Sequence, residues 1–287
     1  MTYSFGHILT FDIEHWYESW RLRNLPYDAS LPDCDGPTLL KTLDLLDKYS
    51  AKATFFFTGR FAAEFPEIAR ECVARGHEIA SHSQDHRLLT EYDDPEDFRV
   101  NLLESLDNIE KASGTRPIGF RAPKWTIFPK NAEAYLNILA REGLKYDSSF
   151  FPGRFAKADL LSPSLLKLPA GDLIEIPATG TTFGPWTIPA GGAWFRALPF
   201  FVARCMFKQK EALGKPAVFY AHPYDLNPNA HCPPGTPLKL KLIRRLGTAG
   251  ALARLESLLR DYKFISAAEW IKTAAATLPM ETVSRAG

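Results

Sequence analysis

Short apolar runs alternate with helical periodicity over the first two thirds of the chain, and this alternation constrains the fold more than any other feature. Residues 7–12, 53–57 and 77–81 are strand-like, and each run is followed by apolar positions at helical spacing. Parallel strands need a crossover connection, which is usually a helix, so the order predicts an α/β fold with a mainly parallel sheet. An open doubly wound sheet and a closed barrel both satisfy this pattern.

The rhythm is interrupted after Phe151 and then resumes. Residues 152–199 are rich in proline and glycine, and within them residues 173–176 and 181–183 are candidate strands that could form a hairpin. We interpret residues 152–199 as an insertion or lid. Further elements are predicted as strands at 118–121, 145–148, 217–221 and 263–266, and as helices near 37–49, 61–73, 95–111, 130–141, 200–213 and 239–262. A barrel-type unit with one insertion accounts for a single domain over residues 1–287.

Composition excludes several classes of protein. Lys and Arg total 34 against 33 Asp and Glu, so the net charge of +1 argues against a nucleic-acid binder that works by bulk charge. No uncharged apolar stretch reaches the roughly 18 residues of a membrane span, and the first residues lack the apolar core of a secretory signal. We therefore expect no integral membrane segment and a cytoplasmic location. The cysteines form no C-x-x-C pair and are predicted to be reduced thiols: Cys34, Cys72, Cys205 and Cys232.

Polar residues follow four of the predicted strands directly. In parallel α/β folds ligands gather at the carboxyl ends of the strands, so these side chains are expected to reach a common pocket. The residues concerned are Asp12, Glu14, His82, His86, Arg121, Trp125, His222 and Tyr224.

Two histidines and a carboxylate pair in this set suggest a metal site. His82 and His86 are four residues apart, which places both rings on one side if residues 82–86 form a helical turn. With one carboxylate they would make a three-ligand zinc site with an open position, although an isolated H-x-x-x-H pair also occurs by chance. Asp12 and Glu14 leave the same face of an extended chain. One carboxylate could hold a metal while the other accepts a proton from water, or one could be only a cap or ion-pair partner.

The ordered motifs resemble those of the polysaccharide deacetylase (NodB-homology, carbohydrate esterase) family. They are Asp12-Ile-Glu14, His82-Ser-Gln-Asp-His86, Arg121-Ala-Pro-Lys-Trp125 and the strand that leads to His222, and the likeness spans about residues 7–270. The segments YDSSFFP and GKPAVFYAHPYDLNP are similar to a branch associated with bacterial exopolysaccharide and lipopolysaccharide biosynthesis. The resemblance implies a distorted (β/α) barrel, usually with fewer than eight strands. It also implies metal-dependent hydrolysis of an N-acetyl group on a sugar.

The resemblance also implies a role for each motif residue. Glu14, His82 and His86 would hold one divalent metal, with zinc the first choice; Asp12 would be the base; His222 would be the acid that protonates the departing amine; Arg121 would orient Asp12; and Trp125 and Tyr224 would contact the substrate. One departure is that most members have two adjacent aspartates in the first motif, whereas Ile13 intervenes here and a glutamate follows. The roles of Asp12 and Glu14 are therefore exchangeable at this stage.

Other interpretations of the same residues stay open on sequence grounds. His222 could be a neutral core histidine, and Arg121 could pair with a buried carboxylate such as Asp147. Asp147 could instead support His222.

The leading functional prediction is an N-deacetylase that acts on a nucleotide-linked or lipid-linked acetamido sugar during surface-polysaccharide assembly. Alternatives are an amide hydrolase for a formamido sugar or a cyclic ureide, and a non-catalytic carbohydrate-binding protein on the same fold. The proline- and glycine-rich segment is compatible with a homo-oligomer.

Overall fold

The computed structural model describes residues 6–19, 22–25, 35–152, 162–183, 186–230, 232–274 and 278–282. Cys34, predicted to be a reduced thiol, lies outside these residues. The other three cysteines, Cys72, Cys205 and Cys232, are free thiols as predicted.

Strands and helices alternate along the chain as the sequence predicts. The strands are β1 (His7–Ile13), β2 (Thr54–Phe57), β3 (Glu78–Ser81), β4 (Gly119–Phe120), β5 (Tyr146–Asp147), β6 (Ser164–Leu168), β7 (Gly171–Glu175), β8 (Gly180–Phe183), β9 (Trp186–Pro189), β10 (Val218–Ala221), β11 (Phe264–Ile265) and β12 (Met280–Thr282). The α-helices are α1 (Gly36–Lys48), α2 (Gly59–Glu64), α3 (Pro66–Ala74), α4 (Pro95–Ser113), α5 (Ala132–Arg141), α6 (Gly192–Ala197), α7 (Phe200–Ala212), α8 (Pro223–Leu226), α9 (Leu238–Arg245), α10 (Thr248–Asp261) and α11 (Ala267–Ala274).

Most described strands belong to one sheet, with the order β10-β1-β2-β3-β4-β5-β7-β6-β12 and with β11 paired to β1. The pairs of neighbours from β10 to β7 are parallel, and β6 runs antiparallel to β7. The predicted α/β fold with a mainly parallel sheet is confirmed. The parallel order places the carboxyl ends of β1, β3, β4 and β10 at one edge, where the predicted site residues lie.

The centre of the sheet is buried and mostly apolar. Every residue of β1 and β2 is buried, and the rings of Phe11 and Phe55 stack with centroids 5.1 Å apart. Both faces of β2 are buried, which explains why apolar residues follow one another along it. Burying each phenylalanine contributes about 1.5–3 kcal/mol to folding. This core fixes the backbone from which the polar residues at the strand ends project.

Three predicted elements differ in detail. The helix expected over residues 61–73 is divided into α2 and α3 because Pro66 has no N–H to continue the ladder. The helix expected over residues 239–262 is divided at Gly247, whose φ is +74°. The hairpin expected between residues 173–176 and 181–183 is wrong, since the first segment pairs with β6 and the second with β9. β7 also joins the main sheet beside β5, so part of the predicted insertion completes that sheet.

The number of domains stays a prediction. Among the described residues, no helix has both the length and the apolar content needed to span a bilayer.

Candidate metal and catalytic site

A cavity of about 230 Å³ opens at the carboxyl edge of the central strands. Seven of the eight predicted site residues line it: Asp12, Glu14, His82, His86, Trp125, His222 and Tyr224. The eighth, Arg121, is fully buried and contacts Asp12. The structure therefore brings together the whole predicted set.

Glu14, His82 and His86 form a candidate metal site. One potential ligand atom from each lies within 4.8 Å of the others, and all three residues are buried. Residues 82–86 do not form the helical turn on which the spacing argument relied; they form a loop in which Ser83 and His86 have φ angles of 68° and 57°. The Ser83 hydroxyl accepts a hydrogen bond from the His86 backbone N–H at 3.1 Å, which holds this turn. The two rings still converge, with centroids 5.0 Å apart.

The hydrogen bonds around His82 prepare it as a neutral ligand. Its Nδ1 lies 2.8 Å from the Arg121 carbonyl oxygen, which can only accept, so Nδ1 carries the proton and Nε2 keeps a lone pair. Burial lowers the pKa of His82 to about 4, so the ring is uncharged at neutral pH. A backbone carbonyl that fixes the outer ring nitrogen is the usual support of a metal-bound histidine.

Glu14 and His86 are close enough to each other to share one metal ion. Glu14 Oε2 lies 2.6 Å from His86 Nε2, yet this oxygen makes no aligned hydrogen bond within the described part of the chain. Burial would raise the pKa of Glu14, but the charge and close polar contact of His86, together with the charges of His222 and His82, outweigh burial and lower the pKa to about 2. Burial would lower the pKa of His86, and Glu14 raises it instead. Two nitrogens and one carboxylate, buried and convergent, match the three-ligand sites that bind zinc.

Arg121 holds Asp12. Its Nη1 donates to Asp12 Oδ1 at 2.7 Å and to Thr10 Oγ1 at 2.9 Å. Burial would raise the pKa of Asp12, but the nearby Arg121 charge lowers it, so the carboxylate stays ionised. A second oxygen, Oδ2, faces His222 Nε2 at 3.9 Å. Asp12 therefore has one oxygen fixed by the guanidinium and the other directed towards the cavity.

Arg121 is hydrogen-bonded to Ser148, the residue that follows β5. Its Nε donates to the Ser148 carbonyl at 3.2 Å and its Nη2 to the Ser148 hydroxyl at 2.9 Å. Asp147 does not take part, which corrects both open interpretations of that residue. Successive residues of a strand point to opposite faces, and Asp147 instead accepts hydrogen bonds from the backbone N–H and hydroxyl of Ser149.

His222 is supported by Asp225, a residue the sequence analysis did not assign. His222 Nδ1 lies 2.9 Å from Asp225 Oδ2, and Arg196 Nε donates to Asp225 Oδ1 at 2.9 Å. Burial would lower the pKa of His222, but the hydrogen bond and charge of Asp225 raise it. The arrangement favours an imidazolium whose Nε2–H points towards Asp12. Asp225 lies three residues after His222, near the end of β10, and this spacing could have identified it in the sequence. Nothing in the sequence near Arg196 indicates its contact with Asp225.

Aromatic rings form one side of the cavity. Trp125 packs against Tyr220 with centroids 4.5 Å apart, and Tyr224 stacks on His222 at 4.4 Å with the planes 14° apart. Lys124 and Trp125 both have positive φ, at 55° and 50°. Such backbone is costly for residues with side chains and is commonly found at functional sites. The turn directs Trp125 into the cavity, as predicted.

Comparison with known families divides the chain near residue 147. Residues 33–146 match the family described as polysaccharide deacetylase, and residues 148–272 match a domain of unknown function, DUF3473. The first match contains His82, His86 and Arg121 but begins after Asp12 and Glu14. His222 and Asp225 lie within the second match. The association with an exopolysaccharide branch stays a prediction.

Relatives and solved structures agree with this assignment. The chain is 33% identical over 99 residues to a peptidoglycan-N-acetylglucosamine deacetylase of Bacillus cereus, a match that covers 33% of this chain and 36% of that protein. It spans between 26% and 36% of the length of the first three curated relatives.

A solved structure from Mycobacterium smegmatis, assigned to the polysaccharide deacetylases, has 20% identity and a TM-score of 0.67, with 98% and 96% of the two chains covered. The PuuE allantoinase has 18% identity and a TM-score of 0.63, with 95% and 90% covered. At these identities the solved structures show a shared fold.

Proposed function

Because residues 33–146 match the polysaccharide deacetylase family, we propose that this chain is a metal-dependent hydrolase that removes an N-acetyl group from an acetamido sugar. The observation that carries the proposal is the position of Asp12 and His222 on one cavity beside Glu14, His82 and His86. We extend the proposal to surface-polysaccharide biosynthesis, with a nucleotide-linked or lipid-linked sugar as substrate, on the motif resemblance described above. The cytoplasmic location stays a prediction.

The candidate ligands would hold the metal, whereas Asp12 and His222 transfer protons. A divalent ion held by Glu14, His82 and His86, for which we propose zinc, would polarise the acetyl carbonyl and lower the pKa of water. Asp12 is ionised and turns Oδ2 to the cavity, so it accepts the proton of the attacking water. Arg121 fixes the other oxygen and keeps the carboxylate in place.

His222 supplies the proton that amide cleavage needs. Expulsion of an unprotonated amine anion would be prohibitive, so an acid must reach the nitrogen of the scissile bond. The imidazolium form of His222 is favoured by Asp225, and its Nε2 faces the same space as Asp12 Oδ2. Trp125 and Tyr224 bound this space, and an aromatic face suits the apolar face of a sugar ring.

The test is acetate release by the purified protein, loaded with zinc, from a panel of nucleotide-linked and lipid-linked acetamido sugars. Asp12→Asn should bind the metal normally and release no acetate, because it keeps the shape of the side chain but cannot accept the proton. Loss of metal in Asp12→Asn would reverse the roles of Asp12 and Glu14. Release of formate or ammonia in place of acetate would favour the related amide hydrolases. A folded protein that binds metal but hydrolyses none of these substrates would contradict the proposal.

A further inference from the structure

A row of exposed leucines runs along α9. Leu238, Leu242 and Leu246 are 72%, 63% and 58% exposed, and we refer to them as the leucine stripe. They are four residues apart, so they lie above one another on one face of the helix and its last turn. Single exposed leucines are ordinary, but two on one short helix and a third at its C-cap make a contiguous apolar surface.

Cations flank the leucine stripe on both sides. At 3.6 residues per turn, Lys239 lies on one side of the row, and Lys241 and Arg245 lie on the other. The helix, LKLKLIRR, contains no acidic residue. A helix with a leucine row between lysines and arginines has the chemistry of one that lies in the interface of an anionic membrane.

The orientation of α9 keeps the leucines exposed, because hydrogen bonds from Arg196 hold the end of the helix against the rest of the chain. Arg196 Nη1 donates to the carbonyls of Ile243 and Leu246 at 2.7 and 2.5 Å. A Cβ at Gly247 would lie 1.9 Å from the Arg196 carbonyl oxygen, so only glycine permits this close approach. The buried face of the helix carries Arg244, whose guanidinium lies 4.6 Å from the centre of the Tyr224 ring. The exposed face is thus held outwards by contacts of the opposite face.

We propose that the leucine stripe docks this protein on the surface of a membrane that contains anionic lipids. The leucine side chains enter the boundary between headgroups and acyl chains, while Lys239, Lys241 and Arg245 contact the lipid phosphates. Charge complementarity favours an anionic membrane as the partner, because all the formal charges of α9 are positive and attract anionic headgroups.

The leucine stripe and the cavity lie on opposite faces of α9. Arg244 belongs to α9 and lines the cavity, and Trp194 on the neighbouring α6 also lines it and is 42% exposed. Tryptophan is favoured at membrane interfaces because its ring is amphipathic. A protein docked through α9 would hold its cavity about one helix diameter, roughly 10–12 Å, from the headgroups. This placement, which rests on the proposed function, selects the lipid-linked form of the acetamido sugar as substrate.

Vesicle flotation tests the docking surface without reference to activity. The full chain is mixed with vesicles of phosphatidylcholine, with and without phosphatidylglycerol, and compared with the double variant Leu238→Ser, Leu242→Ser. We expect binding to the anionic vesicles and a loss of about tenfold or more in the partition coefficient of the double variant, from the apolar area removed. We expect about fivefold weaker binding for each cation replaced, as in Lys239→Gln. The matched control is Leu213→Ser, which removes a leucine that is 61% exposed at the end of α7 and should bind as the unaltered chain does.

Three outcomes would overturn the docking proposal. The first is no binding to anionic vesicles, and the second is an equal loss of vesicle binding in Leu213→Ser. The third is a dimer in sedimentation velocity that the double variant converts to a monomer, because the stripe would then be an interface between two copies of the chain. The double variant should release acetate from a water-soluble acetamido sugar at the unaltered rate. Vesicle binding without acetate release from any sugar would contradict the proposed function and leave the docking surface standing.

Discussion

Replacement of Asp225 by asparagine should shift the pH dependence of acetate release to lower pH. Asp225 Oδ2 lies 2.9 Å from His222 Nδ1, and its charge raises the pKa of His222 against the opposing effect of burial. Asparagine keeps the size of the side chain and removes the charge, so the pKa of His222 should fall. An acid is active only when protonated, and its pKa sets the alkaline limb of the rate profile. This limb should therefore move to lower pH.

The size of the effect follows from the contact that is lost. A hydrogen bond to a charged group contributes about 1.5–3 kcal/mol, and about 1.4 kcal/mol corresponds to a factor of ten. We therefore expect kcat on the alkaline side to fall about tenfold to hundredfold. The loss should be smaller at a pH where His222 is protonated in both proteins. The acidic limb should not move, because it belongs to Asp12, whose pKa is lowered mainly by Arg121 against burial.

The assay is kcat for acetate release measured from acidic to alkaline pH in the zinc-loaded protein. Asp172→Asn is the matched control, because Asp172 is a half-exposed carboxylate paired with Lys167 on the surface. An unchanged alkaline limb in Asp225→Asn would refute the reasoning and remove His222 from the role of acid. A uniform loss across the whole pH range would mean that Asp225 acts only by holding the position of the ring.

Three further predictions concern the metal site and two buried charges. His82→Ala should lower the zinc content from about one ion per chain, measured by elemental analysis, whereas His77→Ala, outside the cavity, should not. Arg121→Gln should lower the free energy of unfolding in urea by about 3–5 kcal/mol, because it leaves Asp12 buried without its partner; an added Asp12→Asn should recover part of the loss. Burial and the charge of a neighbouring carboxylate raise the pKa of Glu175 well above its usual value. Burial of the protonated Glu175 carboxyl stabilises the folded chain fully below the pKa that this group has in the unfolded chain, and this stabilisation is lost as the pH rises towards the folded pKa. The Tm of the unaltered chain should therefore fall between weakly acidic and weakly alkaline pH, and the Tm of Glu175→Gln should fall less.

The sequence predicted the location of the site because the central strands are parallel and mostly buried. In such a sheet the residue that follows each strand lies at the carboxyl edge. Asp12 is the last residue but one of β1, and His82 and His222 directly follow strands that are almost wholly buried, so their convergence required no knowledge of the loops. The helix boundaries were less predictable, since Phe65 and Gly247 interrupt patterns that remain periodic in the sequence.

The supporting contacts were not predictable from strand order. The convergence of His82 and His86 comes from a loop with positive φ, not from the helical turn that their spacing suggested. Arg196 reaches Asp225 from α6, across 29 residues of sequence, and nothing in the local pattern marks that contact. Such second partners are selected by tertiary packing, and the one-dimensional periodicity of the sequence does not record them.

The site also explains how the two matched regions depend on each other. Residues 33–146 contribute His82, His86 and Arg121, whereas residues 148–272 contribute His222 with its support from Asp225 and Arg196. β1 precedes both regions and pairs with β2 on one side and β10 on the other. Backbone pairing with β10 therefore places Asp12 beside His222, whereas Arg121 reaches Asp12 from the end of β4 through its side chain. The proposed base and acid come from different parts of the chain, and the register of β1 brings them to 3.9 Å.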